Sequence, residues 1–450
     1  MKRLCILASV VLFAISCNYE DNIVVKDEVV AESELIVDGK ISLEKAIANV
    51  DFVYKNIGGH TDKKRKIKSV ELLTSANVSN NCTRASQTGE DSPVAYVVNY
   101  ENNEGYAILA ADAHFPPVIS IGDEGNFSTS DFIEFTQNVS TTRSGDNINS
   151  AQEVQYALIN NSLLLPTIDL GGFNFMGVDT TVMFRCLPLV KTKWNQGSPY
   201  NYYAPIDESY NAKSVAGCVP VAGAQVLASL CYHHNWRPTT QISDEYSIDW
   251  YALNRLIFAD KYRFDANDFS YDAKAVASLI RAVGDNIGAE YSYNETSAFT
   301  SLLGTTYEQL GMTSTTYGNS SSFTPVTIDD IFDMIVVENY PVNARSTSST
   351  AGGGGHSFIL DGWLRLEYSI LGVSASDSSS PVLNRDDNFQ HNFDLVHINL
   401  GWGGKCDGYY LPGAFDLTQD KYREFAEEND IDAYDARVYD LNVSYLIYSL

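Results

Sequence analysis

Four residue types occur in this chain in an order that could hydrolyse an acyl bond: a glutamine, a cysteine, a histidine and an asparagine. Cys218 stands in Val215-Ala216-Gly217-Cys218-Val219-Pro220-Val221-Ala222, where a glycine turn enters an apolar helix with proline in its first turn. A thiol there faces unpaired N–H groups and the positive end of the helix dipole, which can lower a free pKa of about 8.5 by several units. Taken alone, a small buried cysteine capping a core helix fits the same position.

His356 opens His356-Ser357-Phe358-Ile359-Leu360 behind the glycine run 352–355. An imidazole there can take a thiol proton and later protonate a leaving amine, although a lone histidine is as compatible with a structural role. Asn399 and Trp402 lie in Asn399-Leu400-Gly401-Trp402-Gly403-Gly404, at the end of an apolar strand. The Asn399 amide oxygen, or a backbone carbonyl, could accept the second N–H of the imidazole while Trp402 shields that bond from water. Gln196, in the turn-rich Lys193-Trp194-Asn195-Gln196-Gly197, could join the Cys218 N–H in holding an oxyanion.

The elements that carry these groups are legible in outline. Val219, Ala222, Val226 and Leu230 recur at helical spacing, which predicts a helix after Cys218 with one buried face. Phe358 and Leu360 alternate with polar positions after His356, which predicts a strand beginning beside a glycine hinge.

Together the motifs around Gln196, Cys218, His356 and Asn399 to Gly404 resemble the streptopain family of secreted, papain-like cysteine peptidases, most clearly over residues 186–410. The resemblance implies Cys218 as nucleophile, His356 as general base and acid, Gln196 as oxyanion donor, and the Asn399 to Trp402 segment as support for the imidazole. One position departs: members of that family often have tryptophan where this chain has Leu400. The implied fold is α+β, a papain-like peptidase with a helical subdomain carrying Cys218 against an antiparallel sheet carrying His356 and Trp402. A small α+β propeptide domain precedes it.

The N-terminus has basic Met1-Lys2-Arg3, an apolar run 4–15, and Ala14-Ile15-Ser16-Cys17. This pattern reads as a lipoprotein signal peptide over 1–16, with Cys17 lipidated after cleavage; ordinary secretion with Cys17 unmodified is the alternative. Residues 17–38 read as an acidic linker. Segment 39–127 reads as the folding and inhibitory propeptide, with a helix over 42–54 and a hairpin whose strands 94–100 and 106–110 flank Asn102-Asn103-Glu104-Gly105. A binding module is the alternative reading of that segment. Residues 128–179, rich in Ser, Thr, Asn and Gly apart from an amphipathic stretch near 151–165, read as an exposed activation linker cut near Arg143. The peptidase domain follows over 180–450.

The chain has 450 residues, 44% of them hydrophobic, so one large core and a smaller one are expected; its net charge of −27 argues against nucleic acid as a partner. Seven cysteines, two of them within the first 17 residues, do not form a disulfide framework, and the pairing of Cys186, Cys231 and Cys406 is left open. His233 and His234 are adjacent and diverge on a helix, so no metal site is expected, and no cofactor. The expected partners are protein or peptide substrates, the chain's own propeptide as inhibitor, and a membrane only through the N-terminal lipid. The expected location is extracytoplasmic, at the outer membrane or cell surface, or secreted after processing. A thiol amidase acting on cell-wall peptides and an inactive surface-binding lipoprotein are the competing readings.

Overall fold

A computed structural model describes residues 39–57, 65–78, 93–137, 150–164, 173–318, 327–347, 355–374, 389–412 and 444–450. Cys17, the segments expected as signal peptide and acidic linker, Arg143 and Gly352 to Gly354 lie outside the described residues.

Helix α1 (Leu43–Ile57) starts where the Ser42 hydroxyl accepts the Lys45 N–H at 3.3 Å, and it buries Ala46, Val50 and Val53. It packs against an antiparallel meander of β1 (Ile67–Thr74), β2 (Pro93–Tyr100), β3 (Tyr106–Ala110) and β4 (Val118–Gly122). Asn102 and Asn103 turn the chain between β2 and β3 with φ of 58° and 59°, a left-handed conformation that asparagine tolerates.

Residues 128–179 differ from the exposed linker expected. Where they are described they form α2 (Thr129–Gln137), α3 (Ser150–Leu164) and the start of β5 (Phe173–Cys186), so the boundary drawn at 179/180 falls within a strand. Their Ser- and Asn-rich composition hides aromatic anchors. Phe132 and Tyr156 are fully buried and meet edge-on at 5.8 Å, and Phe127 contacts both. Helix α3 is buried on nearly all sides rather than amphipathic.

After a two-residue-stranded hairpin, β6 (Ile206–Asp207) and β7 (Ala212–Lys213), come α4 (Cys218–His233), α5 (Trp250–Phe258), α6 (Tyr271–Asn286) and α7 (Leu303–Gln309). Asp249 and Ser270 cap α5 and α6 by accepting the N–H groups of Ala252 and Ala273. Helix α4 buries every side chain from Val219 to Cys231, not the one face expected, because α5, α6 and the sheet surround it. The chain ends with β8 (Thr313–Gly318), α8 (Ile328–Phe332), β9 (Val342–Thr347), β10 (Gly355–Ser374), β11 (Phe389–Asn399), β12 (Gly408–Tyr410) and β13 (Ser444–Ser449).

One sheet runs through both halves in the order β1-β2-β3-β4-β12-β11-β10-β9-β13-β8, with β5 paired to the far part of β10. The seam is β4 against β12, with Ser120 opposite Tyr410 and Gly122 opposite Gly408. A Cβ on Gly408 would stand 2.2 Å from the Ile121 carbonyl, so only glycine allows that approach. Helices α4 to α7 share one hydrophobic core, and the sheet with α1 to α3 shares another. The architecture is the α+β arrangement expected: a helical subdomain bearing Cys218, an antiparallel sheet bearing His356, and a preceding α+β domain.

Candidate active site

Gly217 sets Cys218 at the first residue of α4. Its φ of 91° is left-handed, and an added Cβ would stand 2.9 Å from Thr296 Cγ2, so both conformation and space require glycine. Pro220 falls in the first turn, where no N–H bond is needed. The Ser357 N–H points at Cys218 Sγ over 3.4 Å, which puts the thiol beside the first residues of β10.

His356, 2% exposed, lies at that start of β10, and its Nε2 is 2.8 Å from the Leu400 carbonyl oxygen. A carbonyl only accepts, so Nε2 carries the proton and Nδ1 is the basic nitrogen. Of the two supports considered, the backbone carbonyl therefore holds the imidazole. Asn399 is engaged elsewhere: its Nδ2 donates to the Thr192 carbonyl at 3.0 Å, and its Oδ1 accepts from Gly401 N and from Gln225 Nε2. Leu400 is fully buried and supports the imidazole through its backbone, so the absence of tryptophan there leaves the bond intact. Trp402 packs against the sheet-side core, with the glycines at 401, 403 and 404 all at positive φ around it. Gln196 lies next to the nucleophile's turn: its carbonyl accepts the Ala216 N–H at 2.8 Å, and its side chain is partly exposed.

Burial shapes the electrostatics. It pushes the Cys218 thiol up, against the opposing pull of the Ser357 and Val219 N–H groups. Burial also holds His356 down at about 4, with the Leu400 carbonyl and Glu153 of α3 pulling the other way. Both shifts favour the neutral thiol and the neutral imidazole in the intact chain.

Between β10, β11 and the loop after β4 lies a polar cluster that the sequence did not signal. His397 is sandwiched between Asp361, at 2.6 Å from Nδ1, and Asp123, at 3.2 Å from Nε2. The register shift of β10 at Leu360/Gly362 aims Asp361 inward, where it also accepts the Val190 N–H at 2.9 Å. The two carboxylates outweigh desolvation and lift His397 to about 10, so it is a cation. Asp407 accepts the Leu400 N–H at 2.8 Å, and burial raises it to about 7. Asp123 comes from the loop after β4, and its neighbour Glu124 takes both Lys193 and Arg263. The alternation around Val396-His397-Ile398 could have marked His397 as one face of a buried strand, but nothing local marked its partners.

Among the described residues Cys186, Cys231 and Cys406 are free thiols, and burial raises the latter two to about 12. His233 and His234 each meet a backbone carbonyl, of Leu189 and Asn339 respectively.

A thiol at a helix N-terminus beside a carbonyl-anchored imidazole, on two subdomains, defines a thiol hydrolase of the cysteine peptidase class. Residues 194–410 match the Peptidase C10 family, and residues 60–141 match the Spi protease inhibitor family. Residues 194–410 thus form a peptidase domain of the Peptidase C10, or streptopain, family, and the chain is a cysteine peptidase zymogen with its own propeptide inhibitor domain. It is similar to streptopain of Streptococcus pyogenes, 22% identical over 339 residues that cover 70% of this chain and 73% of the relative. Among solved structures it is similar to a fragment of Prevotella intermedia prointerpain A, at 16% identity and a TM-score of 0.44, covering 79% of this chain and 95% of that one. Active interpain A from the same organism shares 18% identity at a TM-score of 0.37, covering 58% of this chain and 94% of that one.

Proposed function

We propose that this peptidase cuts within polypeptides, with Cys218 as nucleophile, His356 as base and acid, and the Gln196 side chain with the Cys218 N–H as oxyanion donors. The observation that carries the reading is the pairing of Cys218, reached by the Ser357 N–H at 3.4 Å, with His356, whose Nε2 donates to Leu400 at 2.8 Å. Cys218 Sγ adds to the scissile carbonyl carbon as its proton passes to Nδ1 of His356. That proton then goes to the leaving amine as the C–N bond breaks, and a thioester remains. Water adds to the thioester, giving its proton to His356, and the carboxylic acid leaves as the thiol is restored.

The raised thiol and the lowered, buried imidazole suit a latent form, since the nucleophile is the thiolate. Release of the propeptide would admit water and favour the ion pair. Cleavage near Arg143 is the proposed activation step. An extracytoplasmic location, with a signal peptide over 1–16 and lipid on Cys17, is proposed from the N-terminal pattern; among the described residues no helix is long and apolar enough to cross a membrane.

The test is hydrolysis of casein and of a cell-wall peptide by trypsin-trimmed chain, wild type and Cys218→Ala, under mild reductant. Casein cut at internal bonds by wild type alone supports the reading. Cleavage of only the cell-wall peptide would replace it with the amidase reading, and no turnover of either would remove it.

A further inference from the structure

Gln225 lies seven residues after Cys218 on α4 and is wholly buried; apart from Ser229, the other side chains that helix buries are apolar. Seven positions are about two turns, so it sits on the same helical face as the thiol. A buried amide is unfavourable unless its atoms are bonded, and these atoms are. Its Oε1 accepts from Thr192 Oγ1 at 3.1 Å and from Trp194 N at 3.2 Å, and its Nε2 donates to Asn399 Oδ1 at 3.1 Å.

Asn399 closes the circuit by donating to the Thr192 carbonyl at 3.0 Å and accepting the Gly401 N–H at 3.0 Å. Asn399 and its bonded partner Gly401 thus flank Leu400, whose carbonyl holds His356. Thr192 and Trp194 lead into Gln196, and Trp194 is itself tied to the far segment by the Gly403 N–H at 3.0 Å. One side chain on the nucleophile's helix therefore meets both the segment that anchors the base and the segment that carries the oxyanion donor.

We propose that Gln225 is a positioning residue for the peptidase reaction. Through Asn399 it fixes the Leu400 carbonyl, and with it the imidazole of His356, against Cys218; through Thr192 and Trp194 it fixes the Gln196 segment. It touches no reacting atom. The inference rests on the reading of Cys218 and His356 as the reactive pair.

The test compares trimmed wild type with Gln225→Met, which keeps length and apolar volume but removes the amide. Competent sites are counted by titration with an irreversible thiol reagent, so that misfolded chain does not count. The expected result is kcat per titrated site down about 10- to 100-fold with KM within about threefold, since a small misplacement of catalytic groups is enough for such a loss. The acid limb of the pH–rate profile should also shift, because the imidazole's anchor has moved. Combining Gln225→Met with Asn399→Leu should give no larger loss than the worse single variant, as expected for one shared circuit. If Gln225→Met yields no folded chain, Gln225→Glu, which keeps the acceptor and removes the donor to Asn399, is measured with the same expectations. A kcat per site within twofold of wild type and an unmoved pH profile, or losses that multiply in the double variant, would overturn the proposal. An inactive wild type would instead sink the peptidase reading itself.

Discussion

The Nε2 of His356 is bound to the backbone carbonyl of Leu400, 2.8 Å away, and not to a side-chain amide. The anchor therefore belongs to the fold of the Asn399 to Gly404 turn. Side-chain identity at position 400 should matter for packing and little for chemistry.

Leu400→Ala is expected to lower stability by about 2–5 kcal/mol, because it empties a fully buried site, while kcat per titrated thiol stays within a few-fold of wild type. Denaturant unfolding and site-normalised kinetics check the two halves. A hundredfold fall in kcat per site with modest destabilisation would show that the Leu400 side chain orients the imidazole directly.

Asp407 supplies a pH dependence of stability. Burial raises its folded pKa from 3.8 to about 7, while His397 and Lys193 pull it down and Asp123 pushes it up. Between about pH 4 and pH 7 the folded form keeps a proton that the unfolded chain has lost, so stability falls as pH rises through this window. Asp407→Asn keeps an acceptor for the Leu400 N–H and should flatten that slope, gaining on the order of a few kcal/mol at pH 8 relative to wild type. Urea midpoints at pH 5 and pH 8 decide it; parallel slopes in the two proteins would contradict the assignment.

The propeptide is held partly by charge. Glu124 meets Lys193 and Arg263, and Asp123 meets the His397 cation with Lys193 and Arg65 farther off. These cations hold both carboxyls below their ordinary values, so the contact persists at neutral pH and is lost as pH falls below about 4. In the inactive Cys218→Ala background, Asp123→Asn with Glu124→Gln should speed hydrogen exchange of the β4 amides at pH 6.5 by tenfold or more. The effect of added salt should be smaller in the double variant than in its parent, since the exposed pair is screened. Equal exchange in the two proteins would show that the strand seam with β12 suffices alone.

What the sequence disclosed, and what it did not, follows from the range of the forces involved. Cys218 was legible because Gly217 and Pro220 mark a helix start locally, and His356 because Phe358 and Leu360 mark a strand. The hairpin at Asn102 and Asn103 was legible for the same reason. Helix α2 was not, and α3 showed only as an amphipathic stretch near 151–165 within an expected linker, since their burial depends on Phe132 and Tyr156 finding Phe127 in the tertiary core. The choice of Leu400 over Asn399 as anchor, the Asp361–His397–Asp123 stack and, apart from the Gly401 to Asn399 bond, the Gln225 circuit join residues 31 to 274 positions apart. No local spacing encodes contacts of that kind.

The central claim is that Cys218 becomes a nucleophile by sharing a proton with His356, and it is tested most directly by the pH dependence of thiol alkylation. Trimmed chain, as wild type, Cys218→Ala and His356→Ala, is treated with a limiting neutral alkylating reagent across pH 5 to 9, and the modified cysteine is mapped by mass spectrometry. The account predicts that Cys218 in trimmed wild type reacts well below its ordinary pKa of about 8.5, that the intact chain reacts far more slowly, and that His356→Ala abolishes the low-pH reactivity. Alkylation of Cys218 that follows an ordinary thiol curve in trimmed wild type, unchanged by His356→Ala, would contradict it.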